Sequence, residues 1–269
     1  MDEATNKILI SCVIPTCDRP QFLVEAVQSV LRQTVKPCEI IIVNNGKEIV
    51  QLPQEITSRV KIYNLPRYVG AAQARNFGAF LATGQYLAFL DDDDLWAVEY
   101  LAKVAAAAAE GARCIISRLD QLRGGKVEIF KNAHGKITLT HLLIYNPGIT
   151  GSNLVIAREL FFAVGGFDPK LPPSEDKSLV IEVLNLGNKV TTLPDSQAII
   201  RFHTLSRLSD AVRLAEGVCQ FTRKYGRLMT RKQYLGNWLK IYRHRYEAGQ
   251  SWAFVPFVCL YVLDRKSVV

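Results

Sequence analysis

Four consecutive carboxylates, Asp91, Asp92, Asp93 and Asp94, stand between the apolar run Tyr86-Leu87-Ala88-Phe89-Leu90 and Leu95-Trp96. Adjacent carboxylates repel one another, and apolar flanks set this run apart from a solvated acidic tail. The preceding residues have the length and composition of a buried strand. That puts the acids at a strand's carboxyl end, the place where open α/β sheets bind ligands. Hard carboxylate oxygens at such a point suit Mg²⁺ or Mn²⁺, which in turn hold phosphates. A second acidic pair, Glu175-Asp176, opens a helical segment. There a helix dipole would favour the two acids even if they did no chemistry.

The elements that must position these groups follow from periodicity. Ile8 to Ile14 is a short β-rich run that Pro15 should end, and Pro20 opens a helical pattern through Leu31. Ile40-Ile41-Ile42-Val43 reads as a second buried strand, stopped by the turn signal Asn44-Asn45-Gly46. Val60 to Tyr63 gives a third strand, and Gly70 to Leu81 gives an alanine-rich helix feeding the strand before the aspartates. Strands alternating with helices of this length imply a largely parallel sheet covered on both faces. After the aspartates come a helix over about 97–110, strands at 114–117, 127–130 and 154–156, and a short helix. The turn at Gly165-Gly166-Phe167-Asp168-Pro169, a helix over 175–186, and strands near 189–193 and 198–202 complete this part.

Composition bounds the rest. The 269 residues are 49% apolar and 22% charged, as in a globular chain and unlike a disordered one. Six cysteines without CxxC spacing read as buried free thiols in a reducing cytosol, neither a zinc site nor disulfides. The polar, acidic start of the chain shows no secretory signal, so the expected location is cytoplasmic. The net charge of +8 is concentrated: residues 201–245 hold eleven Lys or Arg against Asp210 and Glu216, leaving the remainder at −1. A basic carboxyl-terminal region implies an anionic partner. Trp252 to Leu263 is almost wholly apolar, but as a helix it would reach about 18 Å against a hydrocarbon core of roughly 30 Å. Packing onto the domain and lying in a membrane interface beside Arg265 and Lys266 are both open to it.

Taken in order, Val13-Ile14-Pro15-Thr16-Cys17-Asp18-Arg19-Pro20, Glu39 to Gly46, Gly70 to Gly78, Phe89 to Trp96, Gly165-Gly166-Phe167-Asp168, Glu175-Asp176 and His203 resemble a family 2 glycosyltransferase over roughly residues 8–205. The resemblance implies a GT-A, Rossmann-like domain over 1–205: a mixed, mostly parallel central sheet flanked by helices. A basic helical carboxyl-terminal extension over 206–269 lies outside it. It further implies an inverting, metal-dependent transfer from a nucleoside diphosphate sugar, with Mn²⁺ or Mg²⁺ as cofactor.

By the same resemblance Asp93 ligates the metal, and Asp91 contacts the ribose or assists the metal. Asp92 and Asp94 set local charge and cap the next helix, with Asp92 beside the substrate. His203 matches a late histidine that contacts metal or diphosphate, and an imidazole ligand would favour Mn²⁺. Arg75 is a charge-assisted phosphate donor, and Pro15 and Thr16 border the nucleobase. Asp176 is the base that deprotonates the acceptor hydroxyl, supported by Glu175. Gly151, Ser152 and Asp168 line the sugar and acceptor side.

One departure bears on the donor. Relatives usually carry aspartates where this chain has Asn44-Asn45. An amide both donates and accepts, which suits uracil or thymine and so favours a UDP- or dTDP-sugar. The same change motivates an alternative, a non-catalytic glycosyltransferase-like protein that binds a sugar nucleotide or partner. Aromatics at helical spacing in the basic region read as core and disfavour nucleic acid as a partner. No glycine-rich phosphate loop follows the first strand, which disfavours a sugar-nucleotide pyrophosphorylase. The expected setting is the inner face of the cell membrane, with a glycan or lipid-linked acceptor.

Overall fold

The buried apolar runs form the middle of one mixed sheet. The structure, a computed structural model, describes residues 7–131, 136–201 and 211–266. Strand β1 (Ile10–Thr16), helix α1 (Pro20–Leu31), β2 (Glu39–Asn44), the one-turn α2 (Gln54–Thr57), β3 (Lys61–Asn64), α3 (Ala71–Leu81) and β4 (Tyr86–Phe89) make a parallel half, ordered β3-β2-β1-β4. Beyond the aspartates follow β5 (Leu95–Trp96), α4 (Tyr100–Ala109), β6 (Cys114–Arg123), β7 (Lys126–Lys131) and the short α5 (Leu139–Leu142). Then come β8 (Leu154–Ala157), α6 (Arg158–Ala163), α7 (Glu175–Asn185) and β9 (Thr191–Arg201). The sheet continues β4-β8-β6-β9-β5, with β8 antiparallel to both neighbours, β9 parallel to β6, and β7 paired beside β6.

Of the boundaries that differ from expectation, three have a local reason. β1 runs through Pro15 to Thr16, because β4 has already ended at Phe89 opposite Val13 and Pro15 faces a ladder on one side only. The two strands expected near 189–193 and 198–202 are one, β9, which passes Pro194 at a register shift against β6 between Ser117 and Arg118. The helix expected from 97 starts at Tyr100, since Leu95-Trp96 is spent pairing with β9. The buried-thiol reading holds for Cys12, Cys114 and Cys219, whereas Cys38 and Cys259 are exposed.

Close approach of α3 to the sheet depends on one missing side chain. A Cβ on Gly78 would stand 2.4 Å from Cγ1 of Val13 and 3.2 Å from Cγ2 of Val43, both fully buried. Gly78→Ala should therefore lower the urea midpoint by about 1–3 kcal/mol of stability through overpacking.

The basic region forms α8 (Ala211–Tyr225), α9 (Arg231–Glu247) and α10 (Phe254–Lys266). Phe221 and Tyr225 of α8 join the core against α7, and Asn237 of α9 donates to the Leu143 carbonyl at 2.9 Å. Lys177 of α7 is nine-tenths buried beneath this layer, its Nζ 3.5 Å from the centre of the Phe221 ring. Burial, and then the nearby charge of Lys240, push its pKa down from an ordinary 10.5 to about 7. The folded chain thus holds fewer protons than the unfolded one between those values, so stability rises with pH across that window. Lys177→Met should be more stable than the parent at neutral pH and below, with the gap closing as urea midpoints are measured towards pH 10.

Candidate active site

The acidic run divides into two buried and two accessible carboxylates. Asp92 is 1% exposed; it accepts from the Thr16 hydroxyl at 2.7 Å and the Cys17 N–H at 3.2 Å, and pairs with Arg19 at 3.0 Å. Asp94, also buried, accepts from the Ser152 hydroxyl at 2.5 Å and the Arg201 N–H at 3.1 Å. These two tie the turn to β1, to β9 and to the 3₁₀ turn Gly151–Asn153. Neither caps the next helix: the N-cap position of α4 is Glu99, with no side-chain cap. Burial raises the pKa of Asp92 to about 7, against the opposing charge of Arg19.

Asp91 and Asp93 keep their carboxylates at the surface of the cleft and each meets a guanidinium. Arg19 Nη1 bridges to Asp93, and Arg75 Nη2 lies 2.5 Å from Asp91. Hard oxygens at this strand end have the chemistry for a divalent cation. Among the described residues no group of three His, Cys, Asp or Glu side chains is arranged to hold one. The two carboxylates fit an ion whose remaining ligands are water and substrate phosphate, the usual mode for Mg²⁺. His203 lies outside the described residues.

Arg75 is the centre of the cleft. It is 3% exposed and reaches Asp91 from one side; from the other, Nη1 lies 3.4 Å from Glu175 and 3.6 Å from Asp176. Its guanidinium carbon lies 5.3 Å from the centre of the Phe167 ring. A Cβ on Gly151 would come within 2.6 Å of Nη2, so only glycine leaves room for this side chain. Burial disfavours the charge, but Asp91, Asp176 and Glu175 outweigh it and raise the Arg75 pKa.

The acidic pair in the first turn of α7 faces inward. Glu175 is 3% exposed. Burial raises the pKa of both acids; Arg75 counters this and the mutual charges add to it. Glu175 Oε2 and Asp176 Oδ1 are buried and accept no hydrogen bond among the described residues. Asp176 Oδ1 is the oxygen that faces Arg75 Nη1 at 3.6 Å, while the side chain as a whole keeps 16% of its surface exposed.

The other expected positions have mixed fates. Thr16 and Pro15 end β1 beside the acidic turn, buried. Asn44 spends its amide inside its own loop, donating to the Glu48 carbonyl at 2.9 Å and Asn64 at 3.0 Å while accepting from the Gly46 N–H. Asn45 donates to the Thr16 carbonyl at 3.0 Å. Ser152 sits under the acidic turn, accepting from the Asp91 N–H at 3.1 Å. Asp168 is paired with Lys224 of α8 at 2.9 Å. Sequence reasoning missed Arg19 as an ion-pair partner, although it lies in the segment that ends β1. It also missed Asn76, which exchanges two hydrogen bonds with the Phe167 backbone and so pins that ring under Arg75.

Residues 11–167 match the family model described as glycosyl transferase family 2. Glycosyltransferase GlyG of Streptococcus pneumoniae serotype 4 is 37% identical over 92 residues, 32% of this chain and 31% of GlyG. An uncharacterized glycosyltransferase of Haemophilus influenzae is 25% identical over 182 residues, 65% of this chain and 62% of that protein. The putative teichuronic acid biosynthesis glycosyltransferase TuaG of Bacillus subtilis is 35% identical over 102 residues, covering 36% and 40%. In each case the chain spans less than two thirds of the relative's length. The crystal structure of S. aureus TarS 1-349 in complex with UDP-GlcNAc superposes with a TM-score of 0.64 at 16% identity, over 89% of this chain and 73% of that one, a likeness of fold. With more than half its length matched and the expected GT-A-type sheet in place, the chain belongs to glycosyl transferase family 2.

Proposed function

We propose that the chain transfers a sugar from a nucleoside diphosphate sugar to a hydroxyl of a glycan or lipid-linked acceptor, with inversion at the anomeric carbon. The setting proposed is cell-surface polysaccharide synthesis at the cytoplasmic face of the membrane. The observation that carries the transfer reading is the buried Arg75 flanked by two acidic groups, the partly exposed Asp91 at the strand end and the partly exposed Asp176 in the first turn of α7. TuaG is named for teichuronic acid biosynthesis, and the putative glycosyl transferase WcaA of Escherichia coli, 38% identical over 96 residues, for colanic acid biosynthesis. Asp93 and Asp91 are the groups that would hold Mn²⁺ or Mg²⁺ beside the diphosphate. The bound ion supplies Lewis-acid neutralisation of the departing charge.

The remaining chemistry falls to side chains of the chain itself. Asp176 takes the acceptor's hydroxyl proton as the hydroxyl oxygen bonds to the anomeric carbon, its Oδ1 held towards Arg75 at 3.6 Å. The bond from that carbon to the diphosphate oxygen breaks, and the nucleoside diphosphate leaves with its electron pair. Burial that lifts the Asp176 pKa makes it a stronger base than an exposed carboxylate. Glu175 and Arg75 orient it. For the base, UDP or dTDP is proposed from Asn44-Asn45 and from the UDP-GlcNAc bound by TarS. With Asn44 engaged in its loop, Asn45 is the side chain to read the N3–H.

Calorimetry of nucleoside diphosphates with and without Mn²⁺ tests this. UDP should bind with the ion and lose its affinity in Asp93→Ala, while Asp176→Asn should bind UDP as the parent does. Hydrolysis or transfer of the donor should fall about a hundredfold or more in Asp176→Asn, the scale expected of a lost general base. GDP binding more tightly than UDP would overturn the assignment of the base. No ion-dependent binding of any nucleotide would favour the non-catalytic alternative.

A further inference from the structure

Helix α10 opens on the apolar run Phe254 to Leu260, and over these residues only one side is covered. Ala253, just before it, is buried, and the helix packs along α9. Phe254, Val255, Val258 and Cys259 are exposed, Val255 by 66%. Positions i, i+1, i+4 and i+5 share one helical face, so the exposure is a continuous strip. Trp252, exposed by 55%, extends it at the amino-terminal end.

The rim of the strip is aromatic and basic. Tyr246 stacks on Phe254 with ring centres 5.4 Å apart, and Tyr242 meets Trp252 edge-on at 6.3 Å. Arg245 lies over the Trp252 ring at 5.3 Å, and Arg243 is exposed on the same turn of α9. The one acid on that turn, Glu247, is taken up by Arg243 and His244. From Ala211 to Glu247 the chain carries nine Lys or Arg against Glu216 and Glu247. An apolar strip edged by Trp, Tyr and Arg beside a cationic surface complements a bilayer whose headgroups are anionic. At thirteen residues α10 is about 20 Å long and too short to cross. Among the described residues no helix is long and apolar enough to do so. The strip can only lie in the plane.

We propose that α9 and α10 form an interfacial seat, with Trp252, Phe254, Val255, Val258 and Cys259 set into the headgroup layer of an anionic membrane and Arg243 and Arg245 on its phosphates. The seat adds a partner to the transfer reading and does not rest on its chemistry.

Flotation of the full chain with vesicles tests it. Phosphatidylcholine mixed with phosphatidylglycerol should carry the protein, phosphatidylcholine alone should carry much less, and added salt should weaken the first. Val255→Glu with Val258→Glu should cut partitioning by about tenfold or more, since two buried valines are lost from the contact. The melting midpoint and UDP binding should not change. Tryptophan emission should shift to the blue on vesicles in the parent and not in Trp252→Phe. Equal binding of parent and double variant would overturn the seat, as would no binding to either vesicle. Sedimentation showing a dimer that the double variant breaks would assign the strip to a second copy instead. Either failure with UDP binding intact would leave the transfer reading standing.

Discussion

A single buried guanidinium carries the site. Arg75 is closed off from solvent among Asp91, Glu175 and Asp176, three acids contributed by two elements more than eighty residues apart in sequence. Removing one partner from such a cluster leaves uncompensated buried charge, which costs several kcal/mol. The surrounding geometry is therefore tightly specified. Gly151 must lack a side chain for the guanidinium to fit, Phe167 must lie beneath it, and Asn76 must hold Phe167 there. The acids still outnumber the cation. Burial first, and neighbouring acid charge after it, raise the pKa values of Glu175 and Asp176 against the pull of Arg75.

The four aspartates do two jobs by virtue of where each side chain points. Asp92 and Asp94 are turned into the protein and bind β1, β9 and the turn at Ser152 to the end of β4. Asp91 and Asp93 are left at the cleft, each beside an arginine. Arg19 spans both classes, touching Asp92 and Asp93. A cation arriving at Asp93 must compete with that guanidinium, so cation affinity and the conformation of the loop after β1 are linked.

Much of the parallel half was legible because its strands are buried on both faces and read as unbroken apolar runs, as Ile40 to Val43 does. The helices before and after them were legible for their period. The less legible parts depend on distant partners. Nothing local in Leu95-Trp96 says that it pairs with Ile199 and Ala198, and nothing in Asp94 says that it receives the Arg201 N–H. Pro194 looked like a strand end because a register shift that accommodates it is a property of the β6 pairing. Nothing local marks Lys177 as buried, since that depends on Phe221 of α8 lying over it. For the site, residue types and order pointed to the acids and to Arg75. Which aspartates face the cleft, and the engagement of Asn44 by its own loop, required coordinates.

Helix α7 makes the carboxyl-terminal helices part of the active-site architecture. Its first turn presents Glu175 and Asp176 to Arg75. One turn on, Ser178 meets the Tyr225 hydroxyl at 2.6 Å, and Glu182 accepts from that hydroxyl at 2.7 Å. Lys224 adds ion pairs to Asp168 and Glu182. The packing is close: a Cβ on Gly217 would sit 2.6 Å from the Pro172 carbonyl, in the loop that leads into α7. The contact between α8 and the helix that carries Asp176 is therefore both hydrogen-bonded and closely packed. Since α9 packs on α8 and α10 on α9, the proposed seat would be joined to α7 through that chain of contacts.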